Sequence, residues 1–148
     1  MKLLRVRASN FKNCCDNFTI DLIAKSKKTS EDKEYELQMI ADDLYVFNTA
    51  AFVGRNASGK TTAIELLECG YTILGEFSLE NKHYSYENVT LELIFYHDGD
   101  IYKYTTVLKA DSSLGNRANF TEQHLYKKKY YKTNLKEIYA DAGFDEII

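Results

Sequence analysis

At 148 residues the chain has the size of one ordinary domain, long enough to bury a real core without disulfide or metal staples. Its 45% hydrophobic and 14% aromatic content excludes a disordered tail, and 19 Lys and Arg against 22 Asp and Glu argue against a domain whose main work is coating phosphate backbones. With no run of 18 apolar residues, no apolar leader at the start (Arg5 and Arg7 interrupt it) and three cysteines (Cys14, Cys15, Cys69) in no metal-ligand spacing, the expectation is a cytoplasmic protein with reduced thiols and no membrane partner.

Residues 2–9 alternate loosely and predict a strand. A polar corner over 10–17 leads to a second apolar run at 18–24. Eight charges in the twelve residues 25–36 predict a solvated connection. Residues 44–47 follow, then 50–53 (Ala-Ala-Phe-Val), a run suited to a strand buried on both faces. From Lys60 the period becomes helical. Ile64, Leu67, Tyr71 and Leu74 form one stripe and Ala63, Leu66 and Ile73 a neighbouring one, which predicts a broadly covered helix that Gly75 ends. After a polar linker, 89–96 and 101–109 alternate around Asp98-Gly99, a hairpin signal. A weaker strand is expected at 119–126, and residues 135–142 are helix-compatible.

Residues 52–62 read FVGRNASGKTT, and Gly54-x-x-x-x-Gly59-Lys60-Thr61 satisfies the phosphate-binding loop GxxxxGK[ST]. Each position has a physical reason. Gly54 lets the chain leave a strand sharply, and Gly59 lets backbone approach a phosphate without a Cβ in the way. The amides of Asn56, Ala57, Ser58, Gly59, Lys60 and Thr61 form an anion nest at the positive end of the following helix. Lys60, the candidate catalytic residue, reaches the β- and γ-phosphates, the Thr61 hydroxyl ligates Mg²⁺, and Thr62 donates to the α-phosphate. Arg55 reads as an exposed loop side chain. The expected ligands are therefore ATP, with GTP second, and Mg²⁺.

The Asn10-Phe11-Lys12 corner after a first strand, followed by VGRNASGKTT, resembles the N-terminal part of RecF/SMC-like ABC-type ATPases, and within them the AAA-type ATP-binding proteins of the abortive-infection and overcoming-lysogenization-defect group. The resemblance implies an α/β P-loop NTPase fold, a mixed sheet with the phosphate-loop helix and an antiparallel β-layer over about 89–126, in a single domain 1–148. It implies that Lys12 lies near the bound nucleotide. It also implies the missing parts. No LSGGQ-like signature occurs, and a Walker B strand ending in Asp-Glu is not found downstream of the loop. Asp145-Glu146 follows Ala-Gly-Phe rather than four apolar residues, and 37–43 lies upstream. Gln123, the one downstream glutamine, reads as a structural strand residue. The expectation is the N-terminal piece of an ATPase head whose catalytic carboxylate lies outside this chain, with the C-terminal half of the head and a second copy bound on ATP as partners.

Two other functions compete. A nucleotide-gated binding module without hydrolysis needs only the loop, and a small P-loop kinase is the weaker alternative, because four arginines in all offer no Arg-rich lid. Lys127-Lys128-Lys129-Tyr130-Tyr131-Lys132 has the lysine–aromatic interleaving of a single-strand nucleic-acid site, although a solvated strand end explains it as well.

Overall fold

The computed structural model describes residues 1–12, 14–24, 37–47, 59–79, 86–110, 113 and 117–148. They form a mixed α/β fold of eight strands and one α-helix: β1 (Lys2–Ser9), β2 (Phe18–Asp21), β3 (Leu37–Ala41), β4 (Leu44–Phe47), α1 (Lys60–Glu76), β5 (Val89–His97), β6 (Asp100–Ala110), β7 (Ala118–Lys129) and β8 (Asp145–Glu146). Six strands make one sheet in the order β2-β1-β5-β6-β7-β8, and β3 and β4 make a separate hairpin. Every ladder among the described residues is antiparallel. The run at 50–53, expected as a strand buried on both faces, lies outside the described residues, as do the connection at 25–36 and positions 54–58 of the phosphate loop.

The β5–β6 hairpin forms where the sequence signals it. Asp98 and Gly99 both adopt positive φ (46° and 86°), the pair of left-handed residues that matches the twist of the flanking strands. His97 faces Asp100 across the turn, and the register runs without a slip back to Val89 opposite Leu108.

Alternation then splits the core over two faces. On one face Val6, Ala8, Leu91, Leu93, Tyr104 and Leu108 pack with Leu66, Cys69 and Ile73 of α1. On the other Leu4, Ile94 and Ile101 pack with Leu44 and Val46 of the small hairpin and with Ile138. A bulge in β1 between Leu3 and Arg5 serves the second face twice, because Leu4 is buried there and the Arg5 guanidinium stacks 4.2 Å over the Tyr139 ring. Arg5 is also bonded to Glu92 at 2.6 Å, and the Tyr139 hydroxyl donates to Asp21 at 2.6 Å. The C-terminal segment is thereby tied to β1 and β2.

Helix α1 crosses the first face from the β1 corner to β6 and β7. Gly70 makes the close approach possible: a Cβ there would meet Leu3 Cδ2 at 3.2 Å and Leu93 Cδ2 at 3.4 Å. Two expectations about this helix need correction. It is covered on one side only, since Ala63, Leu66, Cys69, Gly70 and Ile73 are buried whereas Ile64 and Tyr71 are 52% and 56% exposed. It also runs past Gly75, and Phe77 takes the left-handed capping conformation (φ 52°) with its amide bonded to the Ile73 carbonyl. Phe77 adopts this costly conformation where its ring stacks on Phe120 (5.3 Å between centroids) and leans on Tyr104 (5.9 Å).

The C-terminal region differs too. Instead of an α-helix over 135–142, a 3₁₀ helix (Lys132–Glu137) is followed by turns and the two-residue edge strand β8. No described helix is long and apolar enough to cross a membrane.

Candidate functional site

The described part of the phosphate loop is its junction with α1. Gly59 is left-handed (φ 90°), the Ala63 amide closes the first helical turn on the Gly59 carbonyl at 3.0 Å, and the amides of Lys60, Thr61 and Thr62 precede that bond. A Cβ built on Gly59 meets nothing within 4 Å among the described residues. Gly59 and Thr61 are exposed, and Lys60 and Thr62 are half-buried. The first turn carries no acidic residue and no side-chain cap. A lysine at the positive end of a helix is the reverse of what helix stability favours, and it concentrates positive potential at this point.

The Asn10-Phe11-Lys12 corner is packed against the same helix, and each of its residues has a distinct job. Asn10, left-handed at φ 61°, donates from Nδ2 to the Glu87 carbonyl at 2.9 Å. Phe11 is buried in the helix-side core, 6.3 Å from the Tyr86 ring, and its carbonyl accepts from the Cys14 amide. Lys12, left-handed at φ 52°, ion-pairs through Nζ with Glu65 of α1. Glu65 is four residues beyond Thr61, about 6 Å along the helix axis and on the same side of the helix. The structure thus places the Lys12 corner against α1 at Glu65, past the 59–62 junction. Glu65 was missed from the sequence, because its partner is 53 positions away. Beside this corner, burial and the neighbouring Cys15 push the Cys14 thiol up, with Lys12 opposing, which disfavours the reactive thiolate.

Other sequence candidates lie elsewhere. Asp145 and Glu146 are exposed on β8, at the far end of the sheet from β2 and β1, and Glu146 is bonded to His124 Nδ1 at 2.6 Å. Asp42 and Asp43 form the β3–β4 turn, where the Asp42 carbonyl accepts from the Tyr130 hydroxyl at 2.6 Å. Neither pair ends a buried strand beside α1. Gln123 accepts from the Tyr104 hydroxyl at 2.8 Å and donates to the Phe120 carbonyl, as a strand residue holding its own sheet.

The lysine–tyrosine tract lines a cleft of about 840 Å³ between β7 and the C-terminal turns. Three of its lysines, Lys127, Lys128 and Lys129, are engaged within the fold. Lys127 and Lys129 both face Asp100 (3.1 and 3.7 Å). Lys128 donates to the Ala140 carbonyl at 2.8 Å and lies over the Phe144 ring, and burial, then the nearby Lys103 charge, lower its pKa. A nucleic-acid strand would have to displace these contacts. Among the described residues no cluster of His, Cys, Asp and Glu could hold a metal ion. Compared with known proteins, the chain matches no family model and no curated protein.

Proposed function

We propose that this chain is the ATP-binding part of an ABC-type, RecF/SMC-like ATPase head, a P-loop NTPase fold that binds Mg-ATP through residues 54–62. One observation carries the reading. The second half of a complete GxxxxGK[ST] pattern lies at a left-handed glycine that opens, without acidic residue or side-chain cap, into a helix beginning with Lys60-Thr61-Thr62. The exposed, left-handed Gly59 suits the close approach of a phosphate group, and the Thr61 hydroxyl is the donor on this chain for Mg²⁺, which when bound would neutralise charge on the phosphates. Lys60 supplies a mobile point charge to the same phosphates, and Lys12 a second from the neighbouring corner. Hydrolysis requires a further carboxylate and a group to orient water. Asp145, Glu146, Asp42 and Asp43 are committed to other parts of the fold, so this reading assigns that carboxylate to the C-terminal half of the head or to a second copy bound head to head on ATP.

The same commitment of the acidic pairs favours a second reading, a nucleotide-gated module that binds and does not hydrolyse. Calorimetric titration with Mg-ATP, on the parent chain and on Lys60→Ala, tests the shared premise: binding lost in the variant supports it, and equal affinity in both overturns it. Phosphate release in the intact native protein, abolished by Lys60→Ala, separates the ATPase from the module. Transfer of phosphate to a small acceptor would instead indicate the kinase.

A further inference from the structure

At the opposite end of α1 from the phosphate loop, we propose a second binding site, a pocket between the last helical turn and the sheet that takes a small planar apolar molecule with one hydrogen-bond donor, of the indole or phenol class. The pocket has a volume of about 380 Å³, and its walls include Leu74, Gly75 and Phe77 from the helix end and Phe95, Tyr104 and Leu125 from the sheet. Two of these residues stand where backbone preference would not put them. Phe77 takes the left-handed capping conformation (φ 52°) that glycine fills at least cost, while the glycine lies two residues earlier, inside the helix. Gly75 is not among the glycines with positive φ, and a Cβ built on it meets nothing within 4 Å among the described residues. Neither a special conformation nor a close approach accounts for it, in contrast to Gly70, which packs against Leu3 and Leu93. What its missing side chain leaves is room in the pocket. The Phe77 ring, leaning on Tyr104 and stacked on Phe120, forms a wall beside that room.

The walls also define the ligand. Aliphatic and aromatic surface in a pocket of this modest size suits a compact ring system. No lysine or arginine lines the pocket and Glu76 does, which disfavours an anion such as a nucleotide. The Tyr104 hydroxyl donates its proton to Gln123 Oε1 at 2.8 Å, so toward a ligand it can only accept. A matching molecule therefore brings an N–H or O–H.

Titration of ¹⁵N-labelled protein with indole and with toluene tests the site. Indole is expected to shift the amides of Leu74, Gly75, Phe77 and Leu125. Gly75→Leu places a side chain in the pocket and abolishes binding of both probes, while its melting temperature stays the same or rises, because leucine favours the helix and meets no atom. Tyr104→Phe keeps the ring and removes the acceptor, so it weakens indole about tenfold and leaves toluene unchanged. Full indole affinity in Gly75→Leu, a lowered melting temperature in that variant, or an equal effect of Tyr104→Phe on both probes overturns the proposal. So does a parent chain that binds neither probe. If that parent is a dimer in sedimentation and Gly75→Leu makes it a monomer, the occupant is a second copy of the chain instead.

Discussion

Truncating two neighbouring apolar residues of α1 tests which side of the helix is covered. Leu66 is fully buried in the helix-side core, whereas Ile64, two residues earlier on the other stripe, is 52% exposed. Leu66→Ala removes buried carbons and leaves a cavity between helix and sheet, at a cost of about 3 kcal/mol. Ile64→Ala forfeits only about half of a burial worth roughly 2 kcal/mol, and the better helix propensity of alanine returns about 0.4 kcal/mol. The net loss at Ile64 is then about 0.6 kcal/mol. For a chain of this length each kcal/mol moves the melting temperature by about 3–4 °C, so Leu66→Ala melts about 10 °C lower and Ile64→Ala about 2 °C lower. Urea unfolding followed by circular dichroism reads both. Equal destabilisation by the two changes would refute the one-sided packing and restore the broadly covered helix that the sequence suggests.

Tyr139→Phe keeps the ring beneath Arg5 and removes the hydroxyl, whose proton is held well above the ordinary phenol range by burial and by the bond to Asp21. It should cost about 1–2 kcal/mol in urea unfolding, and a neutral result would mean that Asp21 is satisfied by water and the Ile23 amide alone. The Asp141 carboxyl is held below its usual value by the hydrogen bond and charge of Lys103. A depressed carboxylate stabilises above its unfolded pKa and loses that contribution as pH falls through the folded value. The stability gap between the parent and Asp141→Asn is therefore present at pH 7 and closes below about pH 4, and a pH-independent gap contradicts the pairing.

Local chemistry made much of the fold legible. Asp98-Gly99 between alternating runs specifies its own turn, and β1, β4 and β7 follow from the same alternation. What the sequence hid depends on partners far along the chain. Helix α1 passes Gly75 because Phe120 and Tyr104, from strands after it, accept the Phe77 ring, and no local propensity for a left-handed phenylalanine exists. The C-terminal residues have a helical pattern, yet Ile138 and Tyr139 are spent on the second core, and Glu146 on His124, which draws them into turns and an edge strand. At the candidate site, Lys60, Thr61 and Thr62 were readable because spacing alone encodes a phosphate loop. The Lys12 corner was readable only as a weak triplet, since its meaning lies in the contact with Glu65.

The central claim is that phosphate is bound where Gly59 opens into α1. Titrating ¹⁵N-labelled protein with Mg-ATP and following the amide resonances tests it directly. The account predicts that the largest shifts fall on Gly59, Lys60, Thr61 and Thr62, with a smaller response at Lys12, and that Lys60→Ala abolishes them. Shifts confined to Lys127, Lys128 and Lys129 in the C-terminal cleft, with the junction silent, would contradict it.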